Sequence, residues 1–100
     1  MEKRCLNRLT VLGSKEAIQR FFRSSWEKPL GGRYFELMEN LPRRFLCLFE
    51  TDKPPLEPLK RVSLRRPELV LLLDYEVEGH RIKGLVKAQG GCIAQCQFDY

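Results

Sequence analysis

Apolar residues recur along this chain with two rhythms, every second position in some segments and every third or fourth in others. Leu6 to Leu12 alternates, with Leu9 and Val11 on one side, and predicts a strand ended by a tight turn at Gly13. Ser14 then suits a helix N-cap. Beyond it Ala17, Ile18, Phe21, Phe22 and Ser25 share one side of a helical wheel, and Glu16, Arg20 and Arg23 share the other. The pattern predicts an amphipathic helix that packs on another element.

Pro29 and the Gly31-Gly32 pair interrupt the helical rhythm. RYFELM, residues 33–38, reads either as a strand leading through ENLP into the next or as a short helix with Tyr34, Leu37, Met38 and Leu41 in contact; the strand is favoured. RFLCLFE, Arg44 to Glu50, is apolar on both faces and predicts a strand inside a sheet. The segment TDKPPLEPLKRVSLRRPEL predicts a second helix that starts among prolines, with a tight first turn forced by Pro58, and stops before Pro67. Leu56, Leu59, Val62 and Ser63 form its inner side, while Lys60, Arg61 and Arg65 lie outside. Arg65 and Arg66 also sit where the negative end of the helix dipole favours cations.

The stretch LLLDYEVEGHRIKGLV gathers acids, bases and the single histidine, His80, around Gly79. A two-residue turn at Glu78-Gly79 pairs Glu76 with Arg81, Tyr75 with Ile82, Asp74 with Lys83 and Leu73 with Gly84. Opposite charges then meet at both acidic positions. If QGGCI loops so that Ala88 faces Ala94, Val86 faces Cys96, Gly84 faces Phe98, Ile82 faces Tyr100 and Lys83 meets Asp99. That register buries Tyr75, Phe98 and Tyr100 under the helices, keeps Gln95 and Gln97 on the other face, and lets a large ring cover Gly84. His80 stands at a hairpin tip, where neither burial nor a cleft tunes it for acid–base chemistry.

One hundred residues at 43% hydrophobic and 31% charged predict a single domain over 1–100. Hydrophobic runs fall short of the roughly 20 residues of a membrane span, and MEKRCLNRLTVLG lacks the apolar core of a secretory signal, so the expected location is the cytoplasm and no membrane partner is expected. In a reducing compartment Cys5, Cys47, Cys92 and Cys96 are expected as free thiols, buried like small hydrophobes. Only Cys92 and Cys96 are close, and their C-x-x-x-C spacing is not that of a zinc pair. No phosphate-cradling glycine loop, nucleophile elbow, H-E-x-x-H or dinucleotide fingerprint occurs in the sequence. The expectation is therefore no enzyme, no catalytic residue, no metal and no cofactor.

Strand, helix, strand, strand, helix and a closing meander predict an α+β ferredoxin-like sandwich, an antiparallel sheet with two helices on one face and an extra C-terminal hairpin strand. CLNRLTVLG followed by KEAIQRFF, then FETDKPPLEPLKRVSLRRPEL running into LDYEVEGHRIKG, cover more than half the chain. In these stretches the sequence resembles a family of small ferredoxin-like proteins, mostly uncharacterised, of bacterial phages, plasmids and integrated elements. It departs from the family's tryptophan-rich middle, with Trp26 its lone tryptophan. The resemblance implies a fold and a mobile-element context and carries over no catalytic residue.

Two partner expectations follow. The first is a protein partner or self-association on the sheet face away from the helices, through Val70, Leu72, Lys83, Leu85, Lys87 and Gln95. The second is weak, sequence-indifferent nucleic-acid binding, favoured by the net charge of +5 and placed on Lys60, Arg61, Arg65, Arg20 and Arg23.

Overall fold

The computed structural model describes residues 4–100. The chain runs β1 (Cys5–Leu12), α1 (Lys15–Arg23), α2 (Glu27–Leu30), β2 (Arg33–Leu41), β3 (Arg44–Thr51), α3 (Leu56–Arg65), β4 (Val70–Val77), β5 (Ile82–Gln89) and β6 (Cys92–Asp99). The strands form one six-stranded antiparallel sheet in the order β2-β3-β1-β4-β5-β6. The architecture is α+β with three helices; the short α2 is an addition to the two expected. No helix among the described residues is long and apolar enough to cross a membrane.

The core follows from period-two alternation. Cys5, Leu9 and Val11 of β1 share a face with Phe45, Cys47 and Phe49 of β3 and with Leu71, Leu73 and Tyr75 of β4, and all are buried. The helices bring Ala17, Ile18, Phe21, Leu59 and Val62 down onto that face. The α1 N-cap forms as expected, with the Ser14 hydroxyl accepting from the Ala17 amide at 3.2 Å. In α3, Pro58 falls in the first turn, where its missing amide would have had no helical partner. Residues 33–38 belong to a strand.

Asn7 is the buried polar residue of β1. Its amide donates to the Cys5 and Phe49 carbonyls at 3.3 Å each and to the Thr51 hydroxyl at 2.9 Å. It ties β1 to β3 where a leucine could only pack.

Both hairpin registers differ from the expected ones. Between β4 and β5 the loop holds four residues, 78–81, so Val77 pairs with Ile82, Tyr75 with Gly84 and Glu76 with Lys83. The cause is local backbone geometry, because Gly79 and Arg81 both adopt positive φ, 81° and 54°. The shift is by two, so every side chain keeps its predicted face. The β5–β6 shift is by one, and it inverts β6. Gly90 and Gly91, at φ 57° and 83°, make a two-residue turn that pairs Gln89 with Cys92, Val86 with Gln95 and Gly84 with Gln97. Phe98 and Tyr100 consequently lie on the open face, 46% and 48% exposed, and Cys92 and Cys96 are exposed rather than buried.

The glutamines turned toward the helix side find partners there. Gln95 donates to the Tyr75 hydroxyl at 2.9 Å, and that hydroxyl donates to Gln97 at 2.5 Å. Both glutamines also stay exposed, so the register does not carry the desolvation cost of burying them.

Candidate functional site

Two surfaces stand out, one among the helices and one on the uncovered sheet. The helix-side surface starts where α1 stops. The Ser24 amide donates to the Arg20 and Phe21 carbonyls, and its hydroxyl donates to the Phe21 carbonyl at 2.5 Å. Trp26 then anchors α2 by packing its ring against Phe45 at 4.7 Å and Phe35 at 5.6 Å, both edge-on. Gly31, at φ 67°, ends α2.

This holds α2 beside α3 and leaves a cleft of about 800 Å³ walled by Ser24, Ser25, Lys28, Arg61, Arg65 and Arg66 over an apolar floor that includes Val62. Among the described residues no acidic side chain lines it, and its four cations make no ion pair. Of the expected polyanion contacts, Arg61 and Arg65 line the cleft. Lys60, Arg20 and Arg23 are exposed but lie outside it. Lys28 and Arg66 escaped notice as site residues because one lies in a segment read as a helix breaker and the other at a helix end.

The second surface is the face of the sheet that no helix covers. Val70, Leu72, Lys83, Leu85 and Lys87 lie on it as expected from alternation, with Leu72 36% and Leu85 53% exposed. Gln95 does not; the one-residue register shift places it opposite Val86 on the helix side. Phe98, Leu6 and Leu48 join the open face instead. Leu6, Leu48, Leu85 and Phe98 border a hollow of about 640 Å³ whose charged lining is four acids, Glu36, Glu50, Asp74 and Glu76, against two bases, Arg8 and Lys83. Tyr100 lies against two of these lining residues, with Lys83 5.0 Å from its ring and its hydroxyl donating to Glu76, and Arg81 is 5.7 Å from the ring. Among the described residues one buried carboxylate oxygen of Glu50 has no hydrogen-bond partner, and Arg4 lies 3.7 Å from it.

His80 is exposed in the 78–81 loop. Burial pushes the Cys47 thiol up to about 12 and raises Cys5 as well, so neither is a thiolate nucleophile at neutral pH. Among the described residues no group of three or more histidine, cysteine, aspartate or glutamate side chains converges as metal ligands would.

No family model, curated protein or solved structure matches the chain.

Proposed function

We propose that this chain is a non-enzymatic interaction module that binds a protein partner through the uncovered face of its sheet. The observation that carries the reading is the combination of exposed Leu6, Leu72, Leu85 and Phe98 with a net-acidic lining on one continuous surface. Contiguous apolar area of this kind is rarely left to water. Its occupant on this reading has an apolar centre flanked by basic residues.

The architecture belongs to the same reading. The strand order β2-β3-β1-β4, with α1 and α3 as connections on one side, supports a ferredoxin-like sandwich to which the β5–β6 pair is appended. The resemblance of the strand and helix segments to mobile-element proteins supports an accessory role of that kind.

The test is capture from the source cells followed by mass spectrometry, using the wild type, Leu72→Asp/Leu85→Asp and Arg61→Glu/Arg65→Glu. A partner retained by the wild type and the arginine variant but lost from the leucine variant is the expected result. Capture indifferent to the leucine variant would overturn the reading.

A second reading, binding of nucleic acid, is supported by the cleft between α2 and α3. Phe98, Tyr100 and Tyr34 do project from the open face, where an RNA-binding sheet would stack bases. Yet the acids in that hollow outnumber the bases by two, which repels phosphate. The helix-side cleft has the opposite balance. Contact there would be salt-sensitive and indifferent to sequence. Fluorescence anisotropy with labelled oligonucleotides at about 50 mM salt should show binding that Arg61→Glu/Arg65→Glu abolishes, and a flat titration removes this reading.

A further inference from the structure

The two outer strands of the sheet meet solvent differently. β2 carries Arg33, Glu36 and Glu39, and its pairing with β3 shifts register twice. Charges and bulges keep an edge from pairing with another chain. β6 has neither protection. From Cys92 to Phe98 it holds no charge and no proline, and its register with β5 is unbroken.

The direction of its free backbone groups can be read from one bond. The Tyr100 amide donates to the Arg81 carbonyl at 2.8 Å, so even-numbered residues turn their peptide groups toward β5. Ile93, Gln95 and Gln97 therefore turn theirs outward. Side chains alternate too. Ile93 packs on the core, while Cys92, Ala94 and Cys96 project from the open face. Cys92 and Cys96 are exposed free thiols on that one face. Within a single strand they stand about 13 Å apart, well beyond the roughly 7 Å that a disulfide tolerates between Cα atoms.

We propose that β6 pairs antiparallel with β6 of a second copy about a two-fold axis at Ala94, which sets Cys92 of each copy opposite Cys96 of the other. In this register Ile93 and Gln95 exchange ladder hydrogen bonds across the axis. The cysteine pairs fall at non-hydrogen-bonded positions, where Cα atoms approach to about 4.5 Å, a separation that a disulfide spans. A symmetric contact of a strand with itself needs one self-complementary pattern, and the cysteine spacing supplies it twice. The inference concerns the edge and does not depend on which partner takes the open face.

Each thiol pair can be closed by a small external disulfide such as oxidised glutathione. One protein thiolate attacks it, the glutathione S–S bond breaks, and one glutathione leaves as thiolate. The opposing thiolate then attacks the protein sulfur of the mixed disulfide and expels the second glutathione. The two protons lost by the cysteines end on the two glutathione thiolates, and the glutathione disulfide is the species reduced.

Sedimentation of the full chain in reducing buffer should show a dimer that Gln95→Pro, which removes an outward amide, converts to monomer. After exposure to oxidised glutathione, the wild type should run as a covalent dimer on non-reducing electrophoresis. Cys92→Ser and Cys96→Ser should each fail to cross-link alone, and an equimolar mixture of the two should regain the band, because only the mixed dimer sets a remaining Cys96 against a remaining Cys92. Cross-linking by either variant alone, or a wild type that stays monomeric and forms no covalent dimer, would overturn the proposal.

Discussion

Gly84 is the residue on which the closing strands turn. A Cβ there would lie 2.0 to 2.1 Å from the Tyr75 ring and 2.3 Å from its hydroxyl, which is held between Gln95 and Gln97 and cannot swing aside freely. Gly84→Ala should cost about 1–3 kcal/mol, as overpacking does in a filled core; urea denaturation checks it, and an unchanged midpoint would show that the ring yields. That a ring covers Gly84 was legible from alternation alone. That two glutamines accompany it was not, because scoring a register by apolar burial takes them as buried, whereas both stay exposed and share the Tyr75 hydroxyl. Tyr100 gives a second residue-scale expectation. Its hydrogen bond to Glu76, reinforced by burial and by the carboxylate charge, raises the phenol above its ordinary value of 10.0. A raised pKa means the neutral form is favoured, so this contact persists below pH 10 and is lost as pH rises through the folded-state value. Ultraviolet titration of Glu76→Gln should show the Tyr100 phenol fall toward 10.0 relative to wild type, and an unchanged titration would show that the contact is absent.

At the scale of elements, the strands and helices with long periodic patterns were readable, and the short ones were not. α1 announces itself through four apolar positions on one face, α3 through Leu56, Leu59 and Val62, and β3 through apolar residues on both faces. α2 is only four residues, and the features that mark it as a break are the ones that frame it: Pro29 fits a first helical turn and Gly31 supplies its left-handed stop. The β5–β6 turn shows the same limit, since two consecutive glycines fix a tight hairpin more firmly than strand composition does. Gly91 also rests on α3: its amide donates to the Ser63 hydroxyl at 2.9 Å, and an added Cβ would meet Leu64 at 2.4 Å. Gly90 has open space around it. Gly90→Ala should therefore cost about 1–2 kcal/mol from its left-handed backbone alone. Gly91→Ala should cost more, and thermal melts of the two variants side by side check the order.

Across the whole molecule, charge is divided by the sheet. The helix side holds the arginines of the cleft, and the open side holds a net-acidic hollow, so the formal charge of +5 conceals two surfaces of opposite preference. Net charge pointed toward polyanions, and Arg61 and Arg65 could be picked out as helix-surface cations. Their convergence with Lys28 and Arg66 required the position of α2, which no periodicity encodes. The strand order also sets how the sheet opens. β1 is paired along its length on both sides, by β3 and by β4, whereas β6 has one neighbour within the chain. Amide hydrogen exchange should be slowest in β1 and fastest at the outward amides of Ile93, Gln95 and Gln97, with protection at those three rising on concentration if copies pair there. β1 precedes both of its neighbours along the chain, so its two ladders cannot both close until β4 has followed it.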